Sequence, residues 1–298
     1  MAADSTRRSL QRNLRRQRFR SGTLIVVPAT FVVVPQWQGS GSTRAMRLVD
    51  GAEAIRGDLP TASTVVVAVP LEAGEAQGTG VSRFSSIQLV RDRHAMTLST
   101  VEGVAITVGG DCGTELAAVE HAADQGDLAL LWFDAHADLN TPASSPSSVF
   151  NGMVLRTLIG DGEPGLVPAR PIASGNVILV GARELDPPED EFLAESGIPL
   201  LDASEVTAKK LLAAIKATGA TRVYIHVDLD VLDPAEFEGL DSPVPFGLEA
   251  TTLVDLIREV KAKYELAGAG ITEFAPTSPE QADQDLPTIL RIIGALAG

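Results

Sequence analysis

Short apolar runs rich in β-branched residues alternate with longer stretches of helical periodicity along nearly the whole chain, and this alternation restricts the fold more than any other feature. Strands are expected at Leu24–Val27, Thr64–Val69, Val104–Val108, Ala129–Phe133, Val177–Val180, Arg222–Val227 and Gly270–Phe274. Helices are expected at Thr43–Ile55, Ser82–Ser99, Gly113–Gln125, Val149–Ile159, Ala203–Ala217, Leu248–Tyr264 and Leu286–Ala297. Most of the strand runs are continuously apolar, as strands covered on both faces are. The pattern predicts one α/β domain over 22–298, a three-layer α/β/α sandwich around a mostly parallel sheet. Ligands of such a sheet bind beyond the carboxyl ends of its strands.

Polar chemistry is concentrated at those ends. Leu130–Asn140 reads LLWFDAHADLN, an apolar run leading into Asp134, His136 and Asp138 at two-residue spacing. If the strand continues, the three share one face. Tyr224–Pro234, YIHVDLDVLDP, repeats the device with Asp228 and Asp230. Four carboxylates and an imidazole so close together need neutralising, and divalent cations would do it. The donor set suits Mn²⁺, Mg²⁺ or a related ion. A third element, Val108–Thr114 (VGGDCGT), carries a strand through two glycines into a helix; Gly-Gly lets a ligand or loop approach the backbone.

Charge narrows the partners. The net charge is -15; the first 22 residues carry seven Arg and one Asp, leaving -21 on the remaining 276. That acidic body disfavours nucleic acid and anionic membrane and suits a cationic small substrate, although ordinary solubility also explains it. Met1–Ser21 reads as a disordered basic arm. Arg15 to Phe19 before Thr23–Val34 (TLIVVPATFVVV) looks somewhat like a twin-arginine export signal, but Pro28 interrupts the run and no A-x-A site follows. One cysteine rules out an internal disulfide and fits a reducing, cytoplasmic setting. No G-x-S-x-G elbow supports a serine nucleophile. Thr141–Ser148 (TPASSPSS) reads as a substrate-facing loop and Gly160–Gly175 as a surface excursion. His94 reads as solvated, His121 as structural and His226 as lying behind the site or in the core.

The motifs GGDC (Gly109–Cys112), DAHAD (Asp134–Asp138), HVDLDVLDP (His226–Pro234) and EFAP (Glu273–Pro276) resemble, in order and spacing, those of the ureohydrolase family of arginase, agmatinase and formimidoylglutamase. The resemblance covers nearly all of the chain after Ser21. It implies an arginase-like α/β/α fold, a manganese pair, hydrolysis of a guanidinium or related C–N bond, and assembly as a trimer or hexamer. It further implies that Asp134 and Asp228 bridge both ions and that His136 and Asp230 complete one shell. Asp138 would serve the other ion and hold the attacking water, and Glu273 would pair with the guanidinium. Asn140 and Ser147 match positions that receive an amino acid's α-carboxylate, and Asp186 one that receives its α-amino group.

Two positions depart from the family. Cys112 stands where a metal-ligating histidine belongs, and Asn151 where a proton-shuttling histidine belongs. Cys112 is either a thiolate ligand, which would shift preference toward Zn²⁺ or Fe²⁺, or a small buried residue with no ligand role. Asn151 can form hydrogen bonds but cannot carry a proton at neutral pH. The expectation is a metal-dependent hydrolase of a guanidino compound, L-arginine or a close relative. Its rival is a catalytically impaired relative acting as a binding or regulatory subunit.

Overall fold

The computed structural model describes residues 29–298. The strands are β1 (Thr30–Val34), β2 (Thr64–Val66), β3 (Ala105–Gly109), β4 (Ala129–Phe133), β5 (Val177–Val180), β6 (Leu200–Leu201), β7 (Arg222–Asp228) and β8 (Glu265–Thr272). The helices are α1 (Arg47–Asp58), α2 (Phe84–Leu98), α3 (Glu115–Ala123), α4 (Val154–Leu158), α5 (Pro187–Ser196), α6 (Ala208–Thr218), α7 (Ala250–Lys261) and α8 (Pro279–Ala297). The strands form one sheet in the order β2-β1-β3-β8-β7-β4-β5-β6. Every neighbouring pair is parallel.

Burial explains the apolar runs. β3, β4 and β5 are buried at every residue. On one face Leu131, Phe133, Val223, Ile225 and Val227 pack with residues of α1, α6, α7 and α8. On the other Leu130, Trp132, Val177 and Leu179 meet α2, α3 and α4. Two apolar faces on one sheet require two helical layers, which gives the three-layer architecture.

Several local expectations are corrected. The first described strand is Thr30–Val34, in the second half of the long β-branched run; Leu24–Val27 and the basic arm lie outside the described residues. β8 starts at Glu265, five residues before the expected start. Its ELAGAG segment has weak strand propensity, and pairing with β7 and β3 decides the matter. α5 was not foreseen: its Asp186-Pro187-Pro188-Glu189 start is a capping box, which periodicity does not detect. The 160–175 excursion is pinned by buried Leu166 and Ile172. His94 is not solvated but buried, beside Thr107, and burial pushes its pKa down to about 3. Among the described residues no helix is long and apolar enough to cross a membrane.

Candidate metal and active site

The four adjacent central strands, β3, β8, β7 and β4, each end in one of the motifs, so the site lies over the middle of the sheet. Three of these ends use the same local device. The Asp134 carboxylate accepts the backbone N–H of His136 at 2.7 Å, Asp228 that of Asp230 at 2.8 Å, and Asp111 that of Gly113 at 2.8 Å. Each is an Asx turn, in which a short carboxylate satisfies the N–H two residues on and ends the extended chain. The expected strand-face alternation is therefore replaced: β4 stops at Phe133 and Asp230 lies in a 3₁₀ turn, Leu229–Val231. Turns, not pleats, bring the carboxylates together.

Further contacts tie the turns to each other. Asp230 accepts from the N–H of Ala135 at 2.9 Å and pairs with His136 Nδ1 at 2.9 Å. Asp134 lies 3.5 Å from the same nitrogen and accepts the indole N–H of Trp132 at 3.0 Å. Cys112 Sγ donates to Asp228 at 3.0 Å, and its backbone N–H donates to Glu273 at 3.1 Å. Asp138 and Glu273 both hold positive φ, 53° and 65°. Non-glycine residues in that region cost of order 1–3 kcal/mol each, strain that concentrates where side-chain placement matters.

The cleft above is about 210 Å³ and its lining includes Cys112, His136, Asp138, Asn140 and Asn151 together with Asp186, Glu189, Asp228, Asp230, Ser242 and Glu273. Asn140 donates to Asp186 at 2.8 Å and accepts from Ser144 at 2.9 Å. Ser147 is exposed and does not line the cleft, nor does any other residue of the 141–148 loop.

Charge in this nest is unbalanced. Burial, followed by repulsion from Asp134, pushes Asp138 well above the usual carboxylate range. Asp228 is raised by burial and then by Asp230 and Asp134, and Asp230 by burial and then by Asp134. Burial followed by repulsion from Asp111, Asp241 and Asp230 raises Glu273. Burial also raises the Cys112 thiol, with Asp228 the nearest opposing charge. Asp134 alone is held low: burial opposes its charge, but His136 and His226 outweigh it. Burial likewise opposes a charged His136, but its bonds to Asp134 and Asp230 hold it protonated.

These residues fit divalent cations. Asp134, His136 and Asp230 present ligand atoms within 4.8 Å of one another, and so do Cys112, Asp134, His226 and Asp228. Asp138 Oδ2 is buried and has no partner. A carboxylate nest raised by burial and mutual repulsion, with one buried oxygen unpaired, is what a cation would relieve.

Sequence reading missed several contributors. Glu189 accepts from the N–H groups of Leu139 and Asp186, joining α5 to the DAHAD turn. Arg183 donates to the carbonyls of Gly181, Asp230, Val244 and Pro245 and clamps the 229–248 loop beneath the site. The capping pattern would have revealed Glu189; no pattern announces Arg183. Glu115, the first residue of the helix ELAAVEHAA, is fully buried.

Comparisons with known proteins bear on the family and the fold. A family model described as the arginase family matches residues 55–295. An arginase of Bacillus caldovelox is 27% identical over 239 residues, 74% of this chain and 79% of that protein. An N(omega)-hydroxy-L-arginine amidinohydrolase of Streptomyces lavendulae is 30% identical over 208 residues, 69% and 74% of the two chains. The solved structure of Entamoeba histolytica arginase with L-ornithine matches with a TM-score of 0.80 at 22% identity, covering 91% of this chain and 98% of that one.

Proposed function

Since the chain belongs to the arginase family, we propose that it hydrolyses a guanidino compound, with L-arginine or its N-hydroxy relative as the best candidates. One observation carries the reading: carboxylates from the ends of β8, β7 and β4, with the Cys112 thiol from the end of β3, converge on a cleft that, among the described residues, no Lys or Arg side chain lines. That lining favours bound cations together with a cationic substrate. Asp134, His136, Asp228 and Asp230 would hold one divalent ion, and Asp134, Asp138 and Asp228 with Cys112 would face a second. Manganese is the first expectation, and zinc or ferrous iron gains if the thiol ligates. Bound ions would polarise the attacking water and ease its deprotonation.

The chain's own residues supply the rest. Glu273, anchored by the Cys112 N–H, accepts hydrogen bonds from the guanidinium nitrogens and fixes the planar carbon. Asp138 Oδ2 accepts the water's proton as its oxygen bonds to that carbon. The C–N bond to the substrate's alkyl chain then breaks. The departing nitrogen takes up a proton from Asp138 or solvent, giving a primary amine and urea, or hydroxyurea where the guanidine carries an N-hydroxyl. Asn151 lines the cleft and can orient the substrate but cannot deliver that proton. Asn140 and Asp186 are placed to receive the α-carboxylate and α-amino groups. Ser147 would reach the substrate only if its loop moved inward.

The test is release of urea from L-arginine, agmatine and guanidino acids, and of hydroxyurea from N-hydroxy-L-arginine, with protein loaded with Mn²⁺ or Zn²⁺. Release from one of them supports the reading. Binding of these compounds without turnover would favour an impaired relative acting as a binding or regulatory subunit, a reading that Cys112 and Asn151 motivate. Assembly as a trimer or hexamer and a cytoplasmic setting belong to the same proposal, and sedimentation equilibrium decides the first.

A further inference from the structure

Beneath Cys112 lies a buried imidazole. His226, on β7, is wholly inaccessible to solvent, and its ring stacks on Trp132 with centroids 3.6 Å apart. Its Nε2 points upward into the site, 3.9 Å from Cys112 Sγ and 3.8 Å from Asp134 Oδ2. Its Nδ1 points the other way, 3.7 Å from Glu115 Oε2. Neither Glu115 oxygen has a hydrogen-bond partner, and neither does His226 Nδ1. The fold reserves space for this carboxylate: a Cβ on Gly270, the β8 residue paired with His226, would lie 1.8 Å from Glu115 Oε1. Three unpaired polar atoms at full burial are costly unless something draws them together.

We propose that His226 is a metal ligand of the second site, joining Cys112, Asp134 and Asp228, and that Glu115 positions it through Nδ1. The lost imidazole at position 112 is thereby supplied from the floor of the site instead of its wall. A carboxylate behind a ligating histidine is the usual arrangement: it sets the tautomer, leaves Nε2 free to bind and raises ligand basicity. One thiolate, one imidazole and two carboxylates form a four-donor set that Zn²⁺ accepts readily. The second site should therefore prefer Zn²⁺ or Co²⁺ to Mn²⁺. The inference rests on the reading of the strand ends as a cation centre, but not on any turnover.

A metal-free Cys112–His226–Glu115 nucleophile relay uses the same three residues. It is disfavoured because burial first, and the Asp228, Asp138 and Glu273 carboxyls after it, oppose a free thiolate.

The experiment titrates metal-stripped protein with Co²⁺ and with Zn²⁺ and follows thiolate-to-cobalt charge-transfer absorption together with affinity. The parent should show the charge-transfer band, and Cys112→Ser should lose it. Glu115→Gln should weaken Zn²⁺ binding about 10–100-fold, and His226→Gln by more. Since a buried His226 variant could misfold, ¹⁵N-histidine NMR of the parent gives a second reading: Zn²⁺ should shift the Nδ1 signal of His136, which faces Asp134 and Asp230, and the Nε2 signal of His226. A His226 signal that stays put while Zn²⁺ binds overturns the proposal, as does an unaltered affinity in folded His226→Gln. These readouts separate from the functional reading. Metal binding through His226 without urea release leaves only the hydrolase reading in error. Urea release with a silent His226 leaves only this proposal in error.

Discussion

Glu273 shows how much a single residue is asked to do. It is buried, held at positive φ, and bonded to Cys112 N–H through one oxygen. In the proposed complex it meets a guanidinium, and a charge-assisted pair of that kind is costly to break from one side. Glu273→Gln should raise the Kd of a guanidino ligand by at least about tenfold, on the order of 1.4 kcal/mol, and leave metal content unchanged. Calorimetry with L-arginine, and with L-ornithine as the ligand that lacks a guanidinium, beside elemental analysis measures both; unaltered affinity for L-arginine would mean that the guanidinium binds elsewhere. The motif residues were legible because their chemistry repeats at fixed spacing: Asp134, His136, Asp138, Asp228 and Asp230 all reach the site. Glu115 was not, because nothing in ELAAVEHAA says that its first residue faces a histidine on β7. Ser147, carried over by resemblance alone, stands outside the cleft.

At the scale of elements, continuous apolar runs located the buried strands, since a strand covered on both faces needs apolar residues at every position. β4 and β5 match their expected bounds residue for residue. Elements whose stability comes from pairing or capping were harder to see, namely β6, the start of β8, and α5. α5 also has a mechanical consequence. Its Glu189 accepts from Leu139 and Asp186, so the helix start and the DAHAD turn share one buried carboxylate. Glu189→Ala leaves the Leu139 N–H without a partner, a loss of about 1–3 kcal/mol. The melting temperature should fall by several degrees. KM for an amino-acid substrate should rise more than kcat falls, because Asn140 and Asp186 lose their anchor. A normal KM in a folded variant would remove α5 from the substrate site.

The whole molecule carries the burden of its acidic centre when no cation is present. Asp138, Asp228, Asp230 and Glu273 have folded pKa values raised above their unfolded ones. Such groups favour the fold below the unfolded carboxylate range and lose that contribution as pH rises through the folded values. His136, also raised, favours the fold below about pH 6.5 and loses its contribution as pH rises further. Asp134 has the opposite sign and is already fully favourable above the usual carboxylate range. Metal-stripped protein should therefore melt lower at pH 8.5 than at pH 6. Each 1 kcal/mol moves the midpoint of a large domain by roughly 2–4 °C. Saturating Zn²⁺ should reverse the trend, since ligand deprotonation strengthens binding as pH rises. Equal slopes with and without ions would show that the carboxylates do not form a cation centre.

We propose that the ends of β3, β8, β7 and β4 form one cation-dependent centre for hydrolysing a guanidinium. The most direct test is release of urea from L-arginine and of hydroxyurea from N-hydroxy-L-arginine while stripped protein is reloaded with Mn²⁺ or Zn²⁺ one equivalent at a time. The account predicts no release from chelated protein, and a rate that rises with bound metal and is abolished by Asp228→Asn. Urea release that persists at full rate in chelated protein, or metal-saturated protein inert toward every guanidino compound, would contradict it.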